Sequence, residues 1–245
     1  MDISRRSFLG SSLLAAAGCA TGVGRMSRRR SDYDGVQVGV ITFSYRSLPK
    51  SPFSTLQHAV RSGLGTIELM GTDLEVDLKA PAAHKFRQDQ TAAEKMALVE
   101  WRRQADFGRI AEVRRRYGDA AVDVHIVKFG QIASEATPDW ELDYCFKSAQ
   151  AMGAAAITCE VPKPEKMAAF EPQAKRLAAF TEKYGIKVAF HNHLQINSTT
   201  YDGPLLDWCD GFRINFDIGH YTAANDDDPL GFVKKYHDRI FSIHV

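Results

Sequence analysis

Seven short runs rich in β-branched and apolar residues recur along this chain, and a stretch of helical period follows most of them. The runs lie at 36–43, 66–70, 122–127, 155–161, 187–191, 213–217 and 240–245, and the helical patterns at 53–62, 91–117, 138–152, 172–184, 203–210 and 229–236. The runs are almost continuously apolar, as expected of parallel strands covered on both faces. Thr137-Pro138 with Asp139 and Glu141 reads as a helix start, and Tyr184-Gly185 as a helix stop. Repeated strand–helix alternation defines an α/β fold with a parallel sheet. A (β/α)8 TIM barrel needs about 250 residues, and residues 36–245 suffice for about seven of its eight units. The sequence ends at Ile243-His244-Val245, inside the last run. An open parallel edge is an aggregation liability, so the expectation is a TIM barrel lacking its eighth β/α unit.

Charge divides the chain in two. Residues 1–30 carry six Arg and one Asp, so the formal net charge of +1 leaves about −4 on the remainder. A mildly acidic body argues against nucleic acid as a partner, because sequence-independent binding needs a basic face. The N-terminal 35 residues read as an address and a basic linker, with the barrel domain at 36–245. Arg5 and Arg6 precede Phe8, Leu9 and a short weakly apolar stretch of small residues, too short to cross a bilayer. That pattern resembles a twin-arginine (Tat) signal, which implies the Tat export machinery as a partner and a periplasmic or other extracytoplasmic location. Ala16-Ala17-Gly18-Cys19 resembles a lipoprotein cleavage box, so Cys19 is a candidate lipid anchor. Cys145, Cys159 and Cys209 show no disulfide or metal spacing and read as core residues. No run is long and apolar enough for a transmembrane segment.

In α/β barrels the chemistry gathers where strands end. Here the second run carries Glu68, the third His125 and Lys128, and the fourth Glu160. The fifth ends in His191-Asn192-His193, the sixth in Asp217-Ile218-Gly219-His220 and the seventh in His244. Five of the eight histidines therefore sit at or near strand ends. His191 and His193 project alike from an extended strand, and Gly219 lets the chain turn so that Asp217 and His220 both return over the mouth. Neutral imidazole with carboxylate oxygen suits a divalent ion. A lone His125 or Glu68 in an apolar strand reads equally as a hydrogen-bonded core group. His58, His84 and His237 fall in helical or loop stretches and receive no role.

The pieces Val188-Ala-Phe-His-Asn-His193, Asn215-Phe-Asp-Ile-Gly-His220 and Ile240-Phe-Ser-Ile-His244 resemble, in order and spacing, strands five to seven of the xylose-isomerase-like TIM barrels. That superfamily contains sugar phosphate isomerases and epimerases as well as endonuclease-IV-type repair enzymes. The resemblance implies a divalent metal (Mn, Zn, Co, Fe or Mg) held by His191, Asp217 and His244, with His191 standing where many members have Glu. It further implies a sugar or sugar derivative as substrate and removal of a proton next to its carbonyl. His193, His220 and Glu160 are the candidate acid–base groups, and Glu68, His125 and Lys128 the candidate substrate contacts. A homo-oligomer is compatible with this reading. With His191 in place of a glutamate, epimerisation by two carboxylates is in doubt, so a keto-sugar lyase or dehydratase is the alternative. A non-catalytic sugar-binding barrel stays open, whereas a nuclease would need more metal ligands and a basic groove.

Overall fold

A computed structural model describes residues 30–245; the expected export signal and the candidate lipid anchor Cys19 lie outside the described residues. A short antiparallel hairpin, β1 (Asp32–Tyr33) with β2 (Val36–Gln37), precedes the main sheet. That sheet holds seven strands in chain order: β3 (Val40–Ile41), β4 (Thr66–Met70), β5 (Asp123–Lys128), β6 (Ala156–Glu160), β7 (Lys187–His191), β8 (Phe212–Asp217) and β9 (Ile240–His244). Every neighbouring pair in it is parallel. The α/β expectation is met, in the form of a curled, parallel seven-stranded half-barrel.

The curl is visible in side-chain contacts. Strands β4 and β9 are second and last in the sheet, yet His244 Nε2 lies 2.9 Å from Glu68 Oε2. Likewise the His125 ring on β5 stacks on Phe241 of β9, with centroids 4.8 Å apart. A flat sheet of these strands, spaced about 4.8 Å apart, would hold such residues far out of reach of each other.

Alternation along each strand sorts the two faces. Ile157 and Cys159, Val188 and Phe190, and Ile214 and Phe216 are fully buried against the helices. Of their strand neighbours, Thr158 and Asn215 reach Glu68 of β4 across the curl, and His191 contacts Asn215 on the adjacent strand. The outer layer includes α1 (Ser54–Arg61), α2 (Gly71–Asp77), α3 (Ala92–Arg103), α4 (Phe107–Asp119), α5 (Asp139–Ala151), α6 (Glu171–Tyr184), α7 (Ile218–Asn225) and α8 (Pro229–Tyr236). Ile110, Val113 and Tyr117 of α4, Leu142, Phe146 and Ala149 of α5, and Ala174 and Leu177 of α6 belong to the main core. Gly185 closes α6 at φ 65°, the left-handed stop expected of Tyr184-Gly185. Cys145 and Cys159 are buried and Cys209 partly so, all three free. Among the described residues no helix is long and apolar enough to cross a membrane.

Three local expectations are corrected. The run 36–43 is not one strand: Val36–Gln37 pairs back on Asp32–Tyr33, Val40–Ile41 enters the sheet, and Thr42–Tyr45 forms a 3-10 turn. The helix at 91–117 is two, because Asp106 caps a new start by accepting from Gly108 N–H. The stretch 203–210 holds a short 3-10 turn, Pro204–Leu206, rather than an α-helix. Helices α2 and α7 occupy segments with too few periodic apolar residues to announce them.

Candidate metal and proton-transfer site

Three strand ends converge. His191 closes β7 and is 4% exposed. Next to it, Asn192 Nδ2 donates to the Asp217 carbonyl at 3.0 Å, and Asp217 N–H donates to Asn192 Oδ1 at 2.8 Å. This reciprocal pair ties the end of β7 to the end of β8 and sets His191 against Asp217. Rather than sitting in a loop turned at Gly219, Asp217 caps α7, its Oδ1 accepting from His220 N–H at 2.7 Å. The other oxygen, Oδ2, lies 3.8 Å from His244 Nδ1 and 4.0 Å from His220 Nε2. One ligand-type atom from each of His191, Asp217 and His244 falls within 4.8 Å of the others.

A second trio shares His191. Glu160, at the end of β6, together with His191 and His193 also brings its ligand-type atoms within 4.8 Å of one another. Glu160 is already engaged, since Lys128 Nζ is 2.8 Å from its Oε1. Its Oε2 lies 3.2 Å from His193 Nδ1, but out of hydrogen-bond alignment, so that buried oxygen has no hydrogen-bond partner. At the rim the half-exposed rings of His193 and His220 meet edge to face, with centroids 4.8 Å apart. His191 joins both sets, 5.0 Å from the His193 ring and 4.9 Å from that of His244.

The remaining candidates have protein partners. Lys128 pairs with Glu160. Glu68 is 6% exposed and accepts from Thr158 Oγ1 at 3.0 Å and Asn215 Nδ2 at 2.8 Å, besides its contact with His244. His125 stacks on Phe241, and its carbonyl accepts from Ala155 N–H. Asn192, Asn215 and Thr158 escaped the sequence reading. The Asn enclosed between two histidines was a signal for the first, whereas nothing local distinguishes the other two.

Burial pushes the His191 imidazole down to about 4, helped by the positive charge of Lys128. His191 is thus neutral near pH 7, the state that binds cations. For Glu68 burial pushes upward, but the hydrogen bond from His244, the charge of Lys128 and the hydrogen bond from Asn215 outweigh it. Its carboxyl is held below the usual range and is ionised. Two imidazoles and one carboxylate form a donor set of the kind that suits first-row transition metals.

No family model matches this sequence, and no curated protein matches it by sequence either. The fold does have solved counterparts. The probable 3-DHS dehydratase AsbF from Bacillus anthracis superposes at TM-score 0.62 with 14% identity, over 85% of this chain and 72% of that one. A sugar phosphate isomerase/epimerase from Parabacteroides distasonis gives 0.54 and 15%, over 88% and 76%. D-psicose 3-epimerase solved with D-fructose gives 0.57 and 11%, over 84% and 72%. The chain therefore shares its α/β fold with a probable dehydratase, a sugar phosphate isomerase/epimerase and a sugar 3-epimerase. At these identities the likeness establishes the fold alone.

Proposed function

We propose that this chain is an exported, divalent-metal-dependent enzyme that removes the proton next to the carbonyl of a sugar or sugar derivative, as isomerases and epimerases do. The convergence of His191, Asp217 and His244 carries the reading. His191 is buried and Asp217 and His244 are partly so, and a cation among them would satisfy the donor atoms that face one another. When bound, a divalent ion polarises a substrate carbonyl and its neighbouring hydroxyl and so acidifies the carbon between them.

The protein's own groups do the rest. Glu160 Oε2, buried and without a hydrogen-bond partner, is the acceptor for the α-proton. Lys128 fixes the carboxylate through Oε1. His193, beside Oε2 and half-exposed, passes the proton to or from the solvent side, with His220 next to it. An open depression of about 660 Å3 bordered by Glu160, Lys163, His193 and Gln195 offers room for a sugar. Export rests on Arg5, Arg6 and the small-residue stretch after them.

A dehydratase or lyase is the second reading, favoured by the AsbF likeness and by His191 standing where a proton-moving glutamate would be expected. Both readings begin with the same proton removal, and they part at the fate of the β-hydroxyl. The test has two stages. Purified chain should retain about one equivalent of divalent metal and lose it on Asp217→Ala; metal retained by that variant overturns the assignment. Keto-sugars in D2O should then take up deuterium at the α-carbon, with a conjugated-enone absorbance appearing only if water is eliminated.

A further inference from the structure

Glu68 reaches the proposed cation position only through other residues. Its Oε2 receives two donors, Asn215 Nδ2 at 2.8 Å and His244 Nε2 at 2.9 Å, while Oε1 receives Thr158 Oγ1 at 3.0 Å. Thr158 and Asn215 are wholly buried, so these donors have no water to turn to. A carboxylate only accepts. His244 must therefore carry its proton on Nε2, which leaves the Nδ1 lone pair facing Asp217 Oδ2 across 3.8 Å. The constraint passes one residue further. With its Nδ2 committed to Glu68, Asn215 turns Oδ1 toward His191 Nδ1 at 3.2 Å, and an oxygen there requires the proton on Nδ1. His191 then has its lone pair on Nε2.

We propose that Glu68 is a positioning residue, which fixes the ring nitrogen that two histidines offer to the cation: Nδ1 of His244 directly, and Nε2 of His191 through Asn215. The inference deepens the metal reading above and rests on it. A carboxylate behind a ligating histidine orients the ring and strengthens its basicity, and its loss typically weakens metal affinity 10–100-fold. One carboxylate here serves two of the three ligands. Glutamine is the conservative replacement: its amide turned toward Thr158, whose hydroxyl then accepts, still presents an oxygen to both Asn215 and His244. Alanine presents nothing.

The experiment uses the whole chain in four forms: wild type, Glu68→Gln, Glu68→Ala and Asp217→Ala. Zn2+ alone is titrated against a chromophoric chelator, and 15N-histidine spectra of the metal-free proteins are recorded at pH 8. Wild type should show His244 protonated on Nε2 and His191 on Nδ1. Glu68→Gln should keep both tautomers and lose less than 10-fold in Zn2+ affinity. Glu68→Ala should mix the tautomers and weaken Zn2+ by about 10–100-fold. Either the opposite tautomers in wild type, or wild-type Zn2+ affinity in Glu68→Ala beside a disabled Asp217→Ala, overturns the proposal. If wild type and Asp217→Ala bind Zn2+ alike, the metal reading fails by itself, and the tautomers of Glu68→Ala against wild type still decide what Glu68 does.

Discussion

Glu68 and Asp77 are two carboxylates buried almost equally, 6% and 5% exposed, one on β4 and the other on the helix after it. Their protonation goes opposite ways. Glu68 is held ionised by donors that include an imidazole, with Lys128 near. Asp77 receives two donors rather than three, Phe53 N–H at 2.6 Å and Tyr117 O–H at 2.8 Å. Burial outweighs them and, with the charge of Asp73, pushes its carboxyl up to about 7. Desolvation is common to both, so the number of donors and the sign of the neighbouring charge, Lys128 for Glu68 and Asp73 for Asp77, decide. The ionised group stands where chemistry is proposed. The other clamps Phe53, whose φ of 63° is a left-handed conformation unusual for a side chain of that size.

Removing the hub is the strongest way to break this contrast. Glu68→Ala strands three donors, two of them from wholly buried residues, and should cost about 3 kcal/mol in urea unfolding; a cost below about 1 kcal/mol would mean that water replaces the carboxylate. The pH dependence of stability comes next. The folded value of Asp77, about 7, lies above its ordinary 3.8, so the folded state holds the extra proton between those values. This contribution is complete below about pH 4, is lost as pH rises toward 7, and levels off above it. Its slope is at most about 1.4 kcal/mol per pH unit, and Asp77→Asn should flatten that part of the profile. The smallest effect sharpens the comparison. Tyr117→Phe removes one donor, should cost about 1 kcal/mol, and should move the Asp77 transition upward, because that hydrogen bond favours the ionised form.

How far the sequence could be read follows from the range of the interactions involved. Six of the seven sheet strands fell within a few residues of their expected places, because an apolar run covered on both faces is a local pattern. The first did not. Only two of its residues pair into the sheet, and the hairpin that claims Val36 and Gln37 depends on Asp32 and Tyr33. The break at Gln104–Asp106 was legible in principle from a capping Asp, but the apolar period runs through it. Helix α2 was hidden because its buried face carries Asp73, Glu75 and Asp77, each satisfied by residues of other elements.

What the sequence determined alone was the layered α/β class and the placing of imidazoles and an aspartate near strand ends, since period and strand polarity are properties of neighbouring residues. The tertiary structure decided which groups face one another. Glu68 meets Thr158, Asn215 and His244 across separations of 90, 147 and 176 residues. Only the curl of the sheet brings such positions within hydrogen-bond reach, and no local pattern records it.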